Sequence, residues 1–506
     1  MSKAESHRQI LRSSSIIGGA SLLNIIVGLV RTKALAVLLG PSGVGLVGLL
    51  VTVMATVSNL ATMGLATVGT RQIAEAGGHN NSEAVAVVRR ALFWGALILA
   101  SIGGLVLWLL RHVVALHVLS APSLTPEVGW LAVGVALTVA ASSQGAILNG
   151  LRRIGDMARL SVLCGMLSTL LGLGALWLWG PSGLIAFVLS APLASFLLGH
   201  YYVARLPKLR LFATPIPELV GQWRTLIKLG AAFTLTVLIG NCGDLAVRTL
   251  VRRELGIEAL GYFQASWTIS MMYIGFVLQA MGADYYPRLT ANIHDHTAVN
   301  RMVNEQTEVA LLLAGPVLLA MLGTAPWVIR LCYTVQFAEA SAILRWQVLG
   351  DILRVAAWPL SYMIMAFGDG RKFLFVESMG VAVLVASIWL GLSVFGMGIE
   401  ATGVAFLVMF VIYLPLVYWV AKQRTEFQWT RNIFLIGGGL ITLGVLIMGT
   451  AMLSEMAGAA AGIIAAVFFG LFALVRLSHM ANLGGPMKRL VGLSRQAMIK
   501  IGAWHG

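Results

Sequence analysis

The chain has 506 residues, 58% of them hydrophobic and only 11% charged, and its formal net charge is +15. Mean hydropathy is +0.87, whereas a soluble domain carries about 25% charged residues, so the composition excludes a soluble enzyme and defines an all-α, polytopic membrane protein. The three cysteines, Cys164, Cys242 and Cys332, stand in or at the end of apolar runs, which argues against a disulfide framework or a cysteine metal site.

A spanning helix needs about 20 apolar residues, and the charge-free runs supply them in chain order. Ser13–Val30 ends on Arg31 rather than at a small-residue cleavage site, so it reads as a retained first span rather than a signal peptide. Ala34–Thr70, Ala91–Leu110 and Val128–Leu151 follow. Leu160–Ala204 is too long for one helix and is broken into a hairpin by Gly180-Pro181-Ser182-Gly183. Spans seven and ten carry internal charge, near Leu226–Thr249 and Ala338–Phe367. Spans eight and nine are Ala259–Ala283 and Val309–Ile329, and Ser378–Ile399, Ala401–Ala421, Asn432–Ser454 and Met456–Val475 complete 14 predicted helices.

This count divides the chain into a six-helix bundle over 1–204, a basic, proline-punctuated loop over 205–224, and a second six-helix bundle over 225–424. Helices 13 and 14 follow over 425–478, and a basic tail over 479–506. The tail reads as an amphipathic helix on the inner membrane face, with a disordered tail as the alternative. Basic residues concentrate on the side holding both termini, which places both termini in the cytoplasm. The net charge then reflects topology and anionic lipid, not nucleic acid.

The halves repeat. Asn24, Val30, Arg31, Thr32 and Arg71 recur 217 residues on as Asn241, Val247, Arg248, Thr249 and Arg288, and Leu39, Gly40 and Gly45 recur at 216 as Leu255, Gly256 and Gly261. An even helix count per half inserts the two repeats in the same orientation, predicting parallel six-helix repeats around a central cavity. Polar residues at helical spacing mark its walls: Ser21, Asn24, Gly28 and Arg31; Thr52, Thr56, Asn59, Met63, Thr67 and Thr70; Asn241, Asp244 and Arg248; and Gln264, Thr268, Met272, Gly275 and Gln279. The alternative is that these residues hydrogen-bond neighbouring helices together.

The predicted outward side carries Arg31, Lys33, Arg111, Arg248, Arg252, Arg253, Arg330, Arg345 and Arg354, against the positive-inside rule. Asp244 with Arg248, and Asp351 with Arg354, are spaced as intrahelical ion pairs. Arg31, Lys33, Arg252 and Arg253 have no acid at such spacing. An unneutralised cationic vestibule suits a diphosphate or an acidic sugar, with snorkelling to lipid phosphate as the rival for cations at helix ends. Candidate substrate-binding residues are therefore Asn24, Arg31, Lys33, Asn59, Asn241, Asp244, Arg248, Arg252, Arg253, Gln264, Asp351 and Arg354. No catalytic or metal-binding set is predicted. Gly43-Val44-Gly45-Leu46-Val47-Gly48 lacks the preceding strand of a dinucleotide site, His294-Asp295-His296 lacks a third ligand, and no phosphate-loop lysine motif occurs.

Val30-Arg31-Thr32-Lys33 with Leu38-Leu39-Gly40-Pro41-Ser42-Gly43-Val44-Gly45 resembles the start of bacterial polysaccharide flippases. Arg345-Trp346-Gln347-Val348-Leu349-Gly350-Asp351 and Phe367-Gly368-Asp369-Gly370-Arg371-Lys372 resemble segments of Wzx-type O-antigen translocases, within the multidrug/oligosaccharidyl-lipid/polysaccharide (MOP) exporter superfamily. The resemblance implies a non-enzymatic flippase of the bacterial inner membrane. Its cargo would be an undecaprenyl-diphosphate-linked oligosaccharide, moved to the periplasmic leaflet by alternating access. It also implies membrane lipids and polysaccharide polymerase or assembly proteins as partners. No cofactor is expected, and the coupling ion, proton or sodium, stays open. The competing expectations are a cation-coupled multidrug exporter of the same fold and, more distantly, an integral-membrane glycosyltransferase or polymerase.

Overall fold

The computed structural model describes residues 3–78, 82–206 and 216–480. The expected amphipathic tail, from residue 481 on, and much of the expected inter-bundle loop lie outside the described residues. The helices are α1 Lys3–Thr62, α2 Leu65–Gly78, α3 Ser82–Leu109, the short α4 Arg111–Val113, α5 Thr125–Gly150, α6 Ile154–Trp179, α7 Leu184–Ala204, α8 Ile216–Ala291, α9 His296–Cys332, α10 Ala340–Ala366, α11 Gly370–Trp389, α12 Glu400–Thr425, α13 Arg431–Leu453 and α14 Glu455–Met480. No strand occurs among the described residues. Among the described residues, ten segments are long and apolar enough to cross a membrane, and two of them, Gly19–Thr62 and Ile154–Ala204, contain a break. Large apolar side chains such as Trp177, Leu170 and Phe468 point outward, as lipid-facing surfaces require.

Two breaks differ from the sequence reading. The first span does not end at Arg31–Lys33. α1 runs through both cations and bends at Gly40 (φ 62°), immediately before Pro41, because proline removes a backbone donor and glycine alone tolerates that φ cheaply. The polar stripe from Thr52 to Thr70 is also interrupted, since Met63 and Gly64 take φ 44° and 72° and Thr67 and Thr70 fall on α2. Its threonines turn back on their own helix, with Thr52 donating to Gly48 and Thr56 to Thr52 at 2.8 Å each. That is a local way of satisfying a hydroxyl in an apolar setting.

The predicted hairpin between Leu160 and Ala204 is present as a tight turn at Gly180–Gly183 between α6 and α7. Left-handed residues recur with a constant spacing of 216: Gly40 and Gly256, Arg152 and Gly368, Gly180 and Gly396. The starts of α6 and α11, and of α7 and α12, keep the same spacing.

The chain forms two compact units, residues 1–261 with 332–334, and residues 262–331 with 335–506. Within the first, α1 meets α8 at backbone contact just beyond the Gly40 kink of one and the Gly256 kink of the other. A Cβ on Gly45 would lie 2.6 Å from the Ile257 carbonyl oxygen, and one on Gly261 2.0 Å from that of Pro41. The contact is reciprocal, because Pro41 and Ile257 are themselves 216 apart. Lys33 is fixed in the same unit, its ammonium donating to the Tyr333 carbonyl.

Within the second unit, α13 and α14 are anchored at several levels. Glycine permits the close approach of α9 to α14, since a Cβ on Gly323 would lie 2.4 Å from the Gly458 carbonyl oxygen. Ion pairs tie the ends, Arg330–Glu455 at 3.0 Å and Arg476–Glu308 at 2.8 Å. The α12–α13 connection is held by Asn300, which exchanges hydrogen bonds with Thr425, and by Asn304, which bonds the Gln428 carbonyl and the Thr430 amide.

Candidate functional site

Three polar clusters stand inside the helical units. The first belongs to α1. Asn24 and Arg31 lie seven residues apart on one helical face and meet Ser161 and Ser168, spaced likewise on α6. Asn24 Nδ2 donates to Ser161 at 2.7 Å and Arg31 Nη1 to Ser168 at 3.1 Å. Arg31 Nη2 reaches the Phe187 carbonyl at 3.3 Å and Ser190 at 3.5 Å on α7, and the guanidinium sits 4.4 Å from the Phe187 ring centroid. Every one of these partners is neutral, and no described carboxylate pairs with Arg31. The guanidinium therefore keeps its full charge in a partly buried setting, with donors to spare from its five N–H groups.

The second cluster lies on α8 before its kink. Arg248 is only 3% exposed and pairs with Asp244 at 2.9 Å, while also donating to the Asp244 carbonyl at 3.2 Å. Further along the chain, Arg252 Nη1 is buried without a hydrogen-bond partner, as is Asn241 Nδ2 about three turns earlier. Arg253 is exposed and Asn59 partly buried.

The third cluster occupies the second unit. Asp351 is fully buried and its Oδ2 accepts from Ser270 at 2.7 Å and Tyr273 at 2.6 Å. Arg354 Nη1 stands 3.6 Å from Oδ1, too long for a hydrogen bond, and Oδ1 has no such partner. One turn away, Gln347 is fully buried with both amide atoms unpaired. Nearby, Tyr413 donates to Glu377 at 2.6 Å and contacts Ser361 at 3.0 Å. A buried carboxylate needs such donors to offset lost hydration.

Of the residues singled out from sequence, the structure brings Asn24 and Arg31 together, pairs Asp244 with Arg248, and sets Arg354 beside Asp351. Gln264 instead bonds Thr268 on its own helix at 3.0 Å. Ser161, Ser168, Ser190, Ser270, Tyr273, Gln347, Glu377 and Tyr413 were not singled out. Only the four-residue spacing of Gln347 and Asp351 offered a signal for any of them.

Solved structures of membrane transporters share this fold. An inward-facing multidrug resistance MATE family transporter superposes with a TM-score of 0.69 at 17% identity, covering 81% of this chain and 98% of that one. The lipid II flippase MurJ in its inward closed conformation gives 0.68 at 12% identity, covering 91% and 99%. A MOP superfamily transporter from Pyrococcus furiosus Vc1, described as having reversed polarity in its binding pocket, gives 0.58 at 16%, covering 82% and 95%. The chain belongs to the polysaccharide biosynthesis protein family, whose profile matches residues 34–342. No curated protein sequence matches it.

Proposed function

We propose that the protein is a flippase that carries an undecaprenyl-diphosphate-linked oligosaccharide, an O-antigen repeat or a related unit, from the cytoplasmic to the periplasmic leaflet of a bacterial inner membrane. In this reading 14 helices cross the membrane, the first twelve as two parallel repeats, and transport proceeds by alternating access without making or breaking covalent bonds. The observation that carries it is Arg31: an unneutralised cation, held on α1 by two serines and a carbonyl, in a chain of a polysaccharide-biosynthesis family. Intramembrane cations are costly, and a fork of N–H donors with no acid beside it suits the oxygens of a diphosphate. Asp244 shields Arg248 until the cargo's anionic group displaces it. The recurrence of left-handed residues at 216 supports the paired repeats, and the MurJ and MATE likenesses support a MOP-type transporter.

A second reading is favoured by the buried Asp351 with its unpaired oxygen: a cation-coupled exporter, with proton or sodium as the driving ion. The two separate on cargo. Deletion of the gene should make lipid-linked repeat units accumulate on the cytoplasmic leaflet while drug sensitivity stays unchanged. Normal surface polysaccharide with raised drug sensitivity would favour the exporter.

A further inference from the structure

One end of the second unit carries cations around a shallow cleft that the transport reading leaves unused; the cleft itself is mostly apolar and, at about 10 Å³, has room for about one water. It is lined by Met363, Ile364 and Phe367 of the α10 end, Asp369 and Lys372 of the α11 start, and Val420 and Arg424 of α12. The sequence Phe367-Gly368-Asp369-Gly370-Arg371-Lys372 builds the turn. Gly368 takes φ 69° to reverse the chain, and the Asp369 side chain caps α11 by accepting from the Lys372 amide. Lys372 Nζ stands 3.3 Å from Asp369. Arg424 lies 5.0 Å from the Phe367 ring centroid, with His296 against the same ring at 5.8 Å. Phe367 is thus a platform that holds a guanidinium over the pocket. No described carboxylate pairs with Arg424, Lys422 or Arg371, and the four cations Arg371, Lys372, Lys422 and Arg424 outnumber the acids Asp369 and Glu426 in the same two segments.

The pocket also has an apolar side. Met363, Ile364 and Val420 are buried beneath it, while Phe375 on α11 and Trp419 on α12, close in sequence to its lining residues, are more than half exposed. Exposed aromatic residues next to a cationic helix end are the pattern of a membrane–water interface. The corresponding turn of the first unit lacks the arrangement. Arg153 and Asp156 form an ion pair where Asp369 and Lys372 stand, with the charges exchanged, and Leu151 occupies the place of Phe367. The pocket is therefore particular to the second half of the chain rather than a by-product of the hairpin.

We infer, on the topology of the proposed flippase, that the cations at the mouth of this cleft, Arg424 and Lys372, bind the phosphate headgroup of an anionic phospholipid in the leaflet facing the cytoplasm, with the acyl chains in the bilayer beside α11 and α12. Basic pockets between helix ends on the cytoplasmic side are suited to such headgroups. Asp369 opposes the phosphate while it orders Lys372, so the acid and the cations act with opposite sign.

The test is ligand-induced thermal stabilisation and native mass spectrometry of the purified full-length protein. It is titrated with phosphatidylglycerol, phosphatidylcholine, a polyprenyl diphosphate and inorganic phosphate. Phosphatidylglycerol should bind at least about tenfold tighter than phosphatidylcholine. The K372Q/R424Q double variant should lose that preference, F367L should weaken it several-fold, and D369N should strengthen it. A folding defect would weaken all variants alike, so the opposite sign of D369N separates the site from damage. Unchanged preference in K372Q/R424Q, or weakening in D369N, overturns the proposal. Stabilisation by inorganic phosphate alone, or by the polyprenyl diphosphate in preference to phosphatidylglycerol, overturns the assignment to a structural phospholipid.

Discussion

Replacing Arg31 with alanine removes the cation while leaving its surroundings nearly intact. Ser168 already donates to the Gly165 carbonyl at 3.1 Å and Ser190 to that of Phe187 at 2.7 Å, so neither hydroxyl hydrogen is orphaned. The loss is the contact with the Phe187 ring, about 0.5–1 kcal/mol, and hydrogen bonds worth about 1 kcal/mol each. Relief of the cost of holding an unpaired charge away from water offsets part of this. We expect net destabilisation of about 1 kcal/mol and a fall in Tm of a few degrees. A charge-assisted contact to the diphosphate of the proposed cargo is worth about 1.5–3 kcal/mol, which corresponds to about 10- to 150-fold in transport efficiency. The assay is leaflet-resolved flipping of a fluorescent lipid-linked oligosaccharide, with Tm measured on the same preparation. Arg31→Lys should fall between wild type and Ala, since an ammonium keeps the charge but not the planar fork. Wild-type flipping by Arg31→Ala would take Arg31 out of the cargo path, and a large Tm loss with proportionate loss of flipping would make Arg31 structural.

Asp351→Asn preserves shape and an acceptor for Ser270 and Tyr273, so it should fold with stability within about 1 kcal/mol of wild type yet lose dependence of transport on a proton or sodium gradient; retained gradient dependence would make Asp351 structural. Asp244→Asn should keep a measurable fraction of transport with altered cargo affinity, whereas loss of both transport and ion-dependent uptake in vesicles would assign coupling to Asp244. Gly261→Leu places side-chain atoms where only backbone fits and should force α1 and α8 apart, seen as faster thiol labelling of a cysteine introduced at Val44; unchanged labelling would mean the crossing adjusts without opening. Asn300→Ala with Asn304→Ala removes five hydrogen bonds and should destabilise the chain by about 3–5 kcal/mol, read from thermal unfolding in detergent.

What the sequence carried best was whatever is local or duplicated. Gly180-Pro181-Ser182-Gly183 announces its turn, and the Gly40–Gly256 match marks two helix bends because a left-handed bend needs glycine at both places. The break at Arg31–Lys33 was misplaced because a charge interrupts an apolar run without interrupting a helix; backbone chemistry at Gly40–Pro41 decides the bend. Ion pairs at helical spacing, Asp244 with Arg248 and Asp351 near Arg354, followed from periodicity. The partners of Arg31 did not, because Ser168 and Ser190 lie 137 and 159 residues away. The tyrosine and serine that hold Asp351 are similarly remote, and nothing in a single sequence selects them among many hydroxyls.

Under the proposed function, this chain alone moves a lipid-linked oligosaccharide across a bilayer. The direct measurement reconstitutes the purified protein into liposomes containing a polyprenyl-diphosphate oligosaccharide with a fluorescent sugar, and follows membrane-impermeant quenching from outside. Wild-type protein should make more than the outer-leaflet half of the label quenchable, while protein-free liposomes and the Arg31→Ala variant stop near half. Quenching that halts at half with correctly folded wild-type protein, under both proton and sodium gradients, would contradict the account.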